Sequence, residues 1–178
     1  MRFKLPKTYK LVLALAVVAG PFIWLVLTED GQRRSDLFLL HALGRPSFNV
    51  ALDRLNRDVT LPMLEKQFPD VSFNCGPSST DLGDQVCTAE IASFNGIPAR
   101  AASLWTGGGR LYALRLDYRR RYHELLEESL TESFGQPERQ VGGGQTVDGW
   151  TLPGGQLLMP ATLEEDDDAA LMWIAGRG

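Results

Sequence analysis

No acidic side chain precedes Glu29, and from Leu11 to Leu27 there is no charge of either sign. The chain is also poor in the residues that carry most chemistry, with two cysteines and two histidines in 178 residues. Each scarcity excludes a class. Two cysteines and two scattered histidines, His41 and His123, do not supply the four soft ligands of a zinc-ribbon site. No G-x-S-x-G elbow is present, and two histidines leave few choices of base for a serine nucleophile. The Gly107–Gly109 and Gly142–Gly144 triplets do not lead through G-K-[ST] into a helix, so neither is a phosphate loop. There is no solenoid-period repeat and no long tract of disordered composition.

What is present begins at the N-terminus. Arg2, Lys4, Lys7 and Lys10 precede the 17-residue apolar run Leu11 to Leu27. At about 1.5 Å per residue it spans roughly 25 Å, the short end for a membrane-crossing helix. Thr8, Tyr9 and Thr28 can extend it, and Lys10 can snorkel to the headgroups. Tyr9 and Trp24 sit near its ends, where amphipathic rings favour the interface, and Pro21 is expected to kink it. Four Lys or Arg precede the run and two, Arg33 and Arg34, follow closely, so the basic flank is expected in the cytoplasm and the rest outside. A cleaved signal peptide is the alternative, with Val17-Val18-Ala19 as its small-residue site. Cutting there leaves the apolar Pro21–Leu27 as a new N-terminus, an awkward start for a soluble product.

The ten-residue start holds four of the 18 basic side chains and none of the 22 acidic ones, so the remainder carries 14 against 22, a formal −8. A domain this acidic is a poor nucleic-acid binder. Its length suits one domain. Cys75 and Cys87 both lie in the exported part, where a disulfide is the expected state and buried free thiols the alternative. The loop they close, Gly76–Gly83, is turn-rich and poor in intrinsic order.

Ser35 is the expected cap of a short helix that Gly44 and Pro46 end, with a second helical piece over Val50 to Asn56. Thr60 is expected to cap a helix through Phe68, with Pro62 in its first turn and Pro69 ending it. From Val71 the period becomes two. Val71, Phe73 and Cys75, then Cys87, Ala89 and Ile91, read as half-buried strands. Asn95-Gly96 marks a turn. Ala99–Thr106 and Arg110–Tyr118 form a hairpin around Gly107–Gly109, with Tyr112, Leu114, Leu116 and Tyr118 on one face. Tyr122, Leu125, Leu126, Leu130 and Phe134 make the apolar stripe of the main helix, Arg119–Phe134, stopped by Gly135 and Pro137. Val147–Leu152, Gln156–Met159 and Ala169–Ala175 read as three further strands. The predicted class is α+β: an antiparallel β-sheet packed against one main amphipathic helix, preceded by a transmembrane helix and short juxtamembrane helices.

Candidate chemistry is sparse. His123-Glu124-Leu125-Leu126-Glu127 is HExxE, one residue short of the zinc-protease HExxH, and an exposed i,i+4 pair is the plainer expectation. Glu164, Glu165, Asp166, Asp167 and Asp168 lack the spacing and turn glycine of a calcium loop and read as a solvated loop or an acidic docking surface. Arg119, Arg120 and Arg121, near Arg110 and Arg115, form a local positive patch that is either a binding surface for lipid headgroups or an acidic protein, or an ordinary helix surface on which Arg120 and Arg121 pair with Glu124. Trp105, Trp150 and Trp173 are expected in the core. No cofactor or metal is expected.

These observations predict a basic flank (1–10), an anchor (11–28) held in the lipid bilayer, a juxtamembrane connector (29–59) and an extracytoplasmic domain (60–178). The expected setting is a bacterial-type inner membrane, crossed once, with the domain in the periplasm. The expected role is a non-enzymatic interaction or assembly module with a protein partner in the cell envelope. The alternative is an enzyme or small-ligand binder with a site around His123 or His41.

Overall fold

The computed structural model describes residues 7–142, 145–164 and 169–176. Arg2, Lys4, Gly143, Gly144 and the Glu165–Asp168 part of the acidic run lie outside the described residues. Helix α1 (Lys7–Leu27) runs through Pro21 without ending. Its Thr8–Leu27 stretch is long and apolar enough to cross a membrane and is 0% buried against the rest of the protein.

Helix α2 (Glu29–Ala42) follows after a single extended residue, Thr28, whose hydroxyl oxygen accepts from the Gly31 N–H. The expected start at Ser35 is therefore corrected to Glu29. The polar stretch before Ser35 is helical because Thr28 caps it and Asp30 pairs with Arg33 and Arg34 one turn on. Thr28 Oγ1 also donates to the Trp24 carbonyl, and Gln32 Nε2 to that of Val26, so carbonyls left over at the end of α1 find donors in α2. A side chain at Gly31 would collide with the Trp24 carbonyl oxygen and the Leu25 Cα, so glycine is what permits this junction. Gly44, at φ 76°, ends α2 as expected.

The chain then sinks into the core. Phe48, Val50, Leu52, Leu55, Leu64 and Val71 are buried there, and the Phe48 ring meets those of Phe68 and Phe73 edge-on at 4.8 and 5.9 Å. The helix expected over Val50–Asn56 is only a 3-10 turn, Leu52–Arg54, while α3 (Leu61–Gln67) follows its Thr60 cap position as expected.

Among the described residues nine strands follow: β1 (Asn74–Thr80), β2 (Gly83–Glu90), β3 (Ser93–Phe94), β4 (Ile97–Gly107), β5 (Arg110–Tyr118), β6 (Glu138–Gly142), β7 (Gln145–Leu152), β8 (Gly155–Pro160) and β9 (Ala170–Ala175). They form one antiparallel sheet in the order β1-β2-β4-β5-β9-β8-β7-β6, with β3 beside β4. The α+β class holds. The sheet is two meanders, β1-β2-β4-β5 and β6-β7-β8-β9, each preceded by a helix and joined through β5 and β9. The second of those helices is α4 (His123–Phe134).

Three strand expectations need correction. The first strand begins at Asn74 rather than Val71, the supposedly loose Gly76–Gly83 loop is itself the β1–β2 hairpin, and Glu138–Gly142 is a strand that no alternation announced. Pro77 is tolerated because β1 is an edge.

One cross-strand row shows how the core is built. Cys75, Cys87, Leu104, Leu114, Trp173, Leu157 and Trp150 are successive register partners, and all but Cys75 are buried. Leu126 and Leu130 of α4 are buried in the same cluster, with Leu125 and Phe134 partly so. A register shift near Trp105 changes which β5 side chain completes the face. Thr106 pairs with Leu111, so Leu111 joins Leu114, Leu116 and Tyr118 in the core, while Tyr112 is only half-buried. The expectation for Tyr112 is corrected accordingly.

Candidate functional site

Two of the three consecutive arginines, Arg119 and Arg121, converge on one carboxylate, Asp36. Asp36, on α2, takes Arg119 Nη1 at 2.9 Å, the Tyr122 hydroxyl at 2.8 Å and a contact from Arg121. Its side chain is 14% exposed, so the charge is mostly withdrawn from water and held by three donors. Arg121 also lies over the Tyr122 ring, 5.1 Å from its centroid. Arg120 donates to the backbone carbonyls of Leu163 and Glu164. The expected helix-surface pairing with Glu124 is therefore corrected. Arg119 and Arg121 tie the helix after α1 to the start of α4, and Arg120 ties the acidic loop beside it. Of that loop's acidic run only Glu164 lies among the described residues.

These arginines border a groove of about 620 Å³ together with Arg45, Arg100 and Glu90. Arg45 pairs with Glu90 at 3.0 Å. Arg110 is exposed at the β4–β5 turn, and Arg115 Nε pairs with Asp117 at 2.7 Å on the sheet.

His123 is not the exposed partner of Glu127. Its Nδ1 and the Tyr118 hydroxyl share a 2.7 Å hydrogen bond, with the two rings stacked at 6.1 Å. Its Nε2 is sealed from solvent against the Ala161 backbone without meeting hydrogen-bond geometry. Desolvation holds the imidazole below its ordinary pKa despite Glu127 nearby, and burial pushes the Tyr118 phenol up. The neighbouring Asp148 is fully buried on the core face, where Arg139 forks onto it at 2.8 and 3.0 Å. A groove of about 730 Å³ brings His123 together with Glu124 and Glu127 beside Ala161 and Leu163. With Nδ1 bonded to Tyr118, Nε2 sealed and burial disfavouring the imidazolium, what the groove offers a ligand is the pair of carboxylates Glu124 and Glu127, which can hold a cationic group. Among the described residues no three His, Cys, Asp or Glu side chains are grouped to hold a metal ion.

His41 forms a chain of its own. Nδ1 donates to the Leu37 carbonyl at 2.7 Å, and Nε2 shares a 2.8 Å hydrogen bond with the Ser47 hydroxyl. Ser47 in turn meets the buried Ser93 hydroxyl at 2.8 Å. The chain runs from the end of α2 into β3 and clasps the two together.

Cys75 and Cys87 are disulfide-bonded register partners with Cα atoms 4.0 Å apart. Trp150 and Trp173 lie in the core as expected, and Trp150 Nε1 donates to the Gly135 carbonyl at 2.9 Å. Trp105 does not. It belongs with Ala113, Ile174 and Gln156 to a row on the opposite face of the sheet, beside the row Ser103, Arg115, Met172 and Leu158. Every member of these rows except Ala113 is half-buried, so Trp105, Leu158, Met172 and Ile174 each leave part of their apolar surface open on this face. The signal for it is legible in retrospect. Leu157-Leu158 and Met172-Trp173-Ile174 place apolar side chains at consecutive strand positions, hence on both faces.

Comparison with protein-family models, with curated proteins and with solved structures finds no match to the chain.

Proposed function

We propose that this protein is a single-pass envelope protein whose domain binds a protein partner through the free face of its sheet and catalyses nothing. In this reading the basic flank (1–10) is cytoplasmic, the anchor (11–28) crosses the inner membrane, and the connector (29–59) and domain (60–178) are periplasmic. The carrying observation is the half-buried set Trp105, Leu158, Met172 and Ile174, apolar side chains left partly open at the centre of a sheet whose other face is already filled. A contiguous apolar patch of this kind marks interaction sites on soluble domains. The exposed apolar α1 supports the tether, and the disulfide supports an oxidising compartment. Arg119 and Arg121, already engaged by Asp36, contribute less to a free surface than their charge suggests, which leaves the sheet as the stronger candidate.

A photo-crosslinking side chain at Met172, in the native membrane, is expected to give a discrete protein adduct, whereas the same group at Glu128 on the exposed side of α4 is not. Absence of an adduct at both Met172 and Ile174 would reject this surface.

The groove that joins His123 to Glu124 and Glu127 favours a second reading, a small-ligand or catalytic site under the start of α4. Loss of biological function in His123→Gln with stability retained would support it over the interaction module.

A further inference from the structure

Helix α2 has two faces, and only one of them is occupied. Asp36 and Leu40, one turn apart, face the domain: Asp36 holds Arg119 and Tyr122, and Leu40 is buried. On the opposite side, Phe38, Leu39 and Leu43 are 73, 57 and 75% exposed, and Ala42 lies between them. At 100° per residue Phe38, Ala42 and Leu39 span an arc of about 100° whose centre lies more than a right angle from the midpoint of Asp36 and Leu40, and Leu43 follows as the C-cap residue on the side nearer Asp36.

We propose that this stripe is a second membrane contact, lying in the interface of the bilayer that α1 crosses. The inference rests on the reading of α1 as the spanning segment and adds where the domain sits on that membrane. The occupant follows from continuity. Leu27, 75% exposed at the end of α1, is separated from α2 by Thr28 alone. That junction is held by the hydrogen bonds of Thr28 and Gln32 to carbonyls of α1 and by the close approach at Gly31. Arg34 lies over the Trp24 ring at 5.9 Å, which sets a cation and an interfacial aromatic side by side where the helix leaves the apolar layer. The stripe begins ten residues after Thr28, about 15 Å along α2, so it meets the headgroup boundary with α2 lying flat in the interface, as amphipathic helices do. Because the Asp36 contacts fix α2 to the domain, seating α2 also fixes which side of the domain faces the lipid. The free face of the sheet is thereby presented in one orientation instead of swinging on a flexible stalk.

The test uses the full chain reconstituted in bilayers of phosphatidylethanolamine and phosphatidylglycerol. The disulfide leaves no free thiol, so Phe38→Cys, Leu39→Cys and Leu43→Cys can each be spin-labelled singly. Leu15→Cys reports on α1, and Met63→Cys, an exposed apolar position on α3, gives the aqueous reference. Labels at 38, 39 and 43 are expected to be reached by oxygen and shielded from a water-soluble nickel chelate, as at Leu15 and unlike at Met63. Nickel accessibility at all three equal to that at Met63, with Leu15 still shielded, would overturn the α2 contact and leave the anchor standing. Nickel accessibility at Leu15 as well would overturn the anchor and the contact with it.

Discussion

Asp36 and Arg119 lie 83 residues apart in the chain and 2.9 Å apart in space. The contact joins the helix that follows α1 to the turn that opens α4, so one carboxylate couples α2 to the domain. Asp36→Ala strands two guanidinium groups and a tyrosine hydroxyl at a mostly buried position. It is expected to cost about 1–3 kcal/mol, read as a lower midpoint in denaturant. Asp36→Asn should recover little of this, because an amide accepts one hydrogen bond per lone pair but carries no charge. An unchanged midpoint in both variants would mean that α2 is not coupled to the domain.

Reduction of the Cys75–Cys87 disulfide is expected to lower the melting temperature, with a loss of about 2–3 kcal/mol from freeing the short loop in the unfolded chain. The β1 edge should be the first region to gain amide exchange. The bond pins the register of a strand whose Gly76-Pro77-Ser78-Ser79 sequence has little β-propensity of its own. Equal melting curves with and without reductant would contradict this.

Leu126→Ala removes buried methyl groups at the centre of the α4 stripe and is expected to cost about 2–5 kcal/mol. Glu128→Ala, on the exposed side of the same helix, should stay within about 0.5 kcal/mol. Chemical denaturation of both variants checks the pair. Similar costs would mean that α4 does not cover the core.

His123 carries a pH signature. Its pKa in the folded protein lies below the ordinary 6.5 because burial disfavours the imidazolium. The unfolded chain therefore binds the proton more tightly, and its contribution to stability is intact above about pH 6.5 and lost as pH falls toward the lowered folded value. The melting temperature should fall on acidification through this window, and His123→Gln should flatten that part of the profile. An identical slope in the variant would assign the pH dependence to other groups.

Much of this architecture is written in local sequence. The Tyr122-Leu126-Leu130 spacing, the Asn95-Gly96 turn and the alternation in Arg110–Tyr118 each specify their element without help from elsewhere, and the Gly108-Gly109 pair, with positive φ at both, supplies the hairpin turn between β4 and β5. What stayed hidden depends on long-range partners. The arginines at 119 and 121 look like helix-surface residues until Asp36 arrives from another element. Phe48 and Val50 have no period to read because they fill the core from extended chain. The shift that exchanges Tyr112 for Leu111 is set by the pairing of two strands and not by either alone. For the same reason the Tyr118–His123 bond was not legible, since it forms across the break between β5 and α4.

The central claim is that a single N-terminal helix holds this domain on the outer side of a membrane. Paired fusions at the C-terminus, one to alkaline phosphatase and one to green fluorescent protein, test it most directly in bacterial cells whose membranes are then extracted with carbonate. The account predicts an active phosphatase, a dark fluorescent protein and recovery of the chain in the membrane pellet. A fluorescent, phosphatase-inactive pair, or a chain released to the supernatant as a species beginning near Gly20, would contradict it.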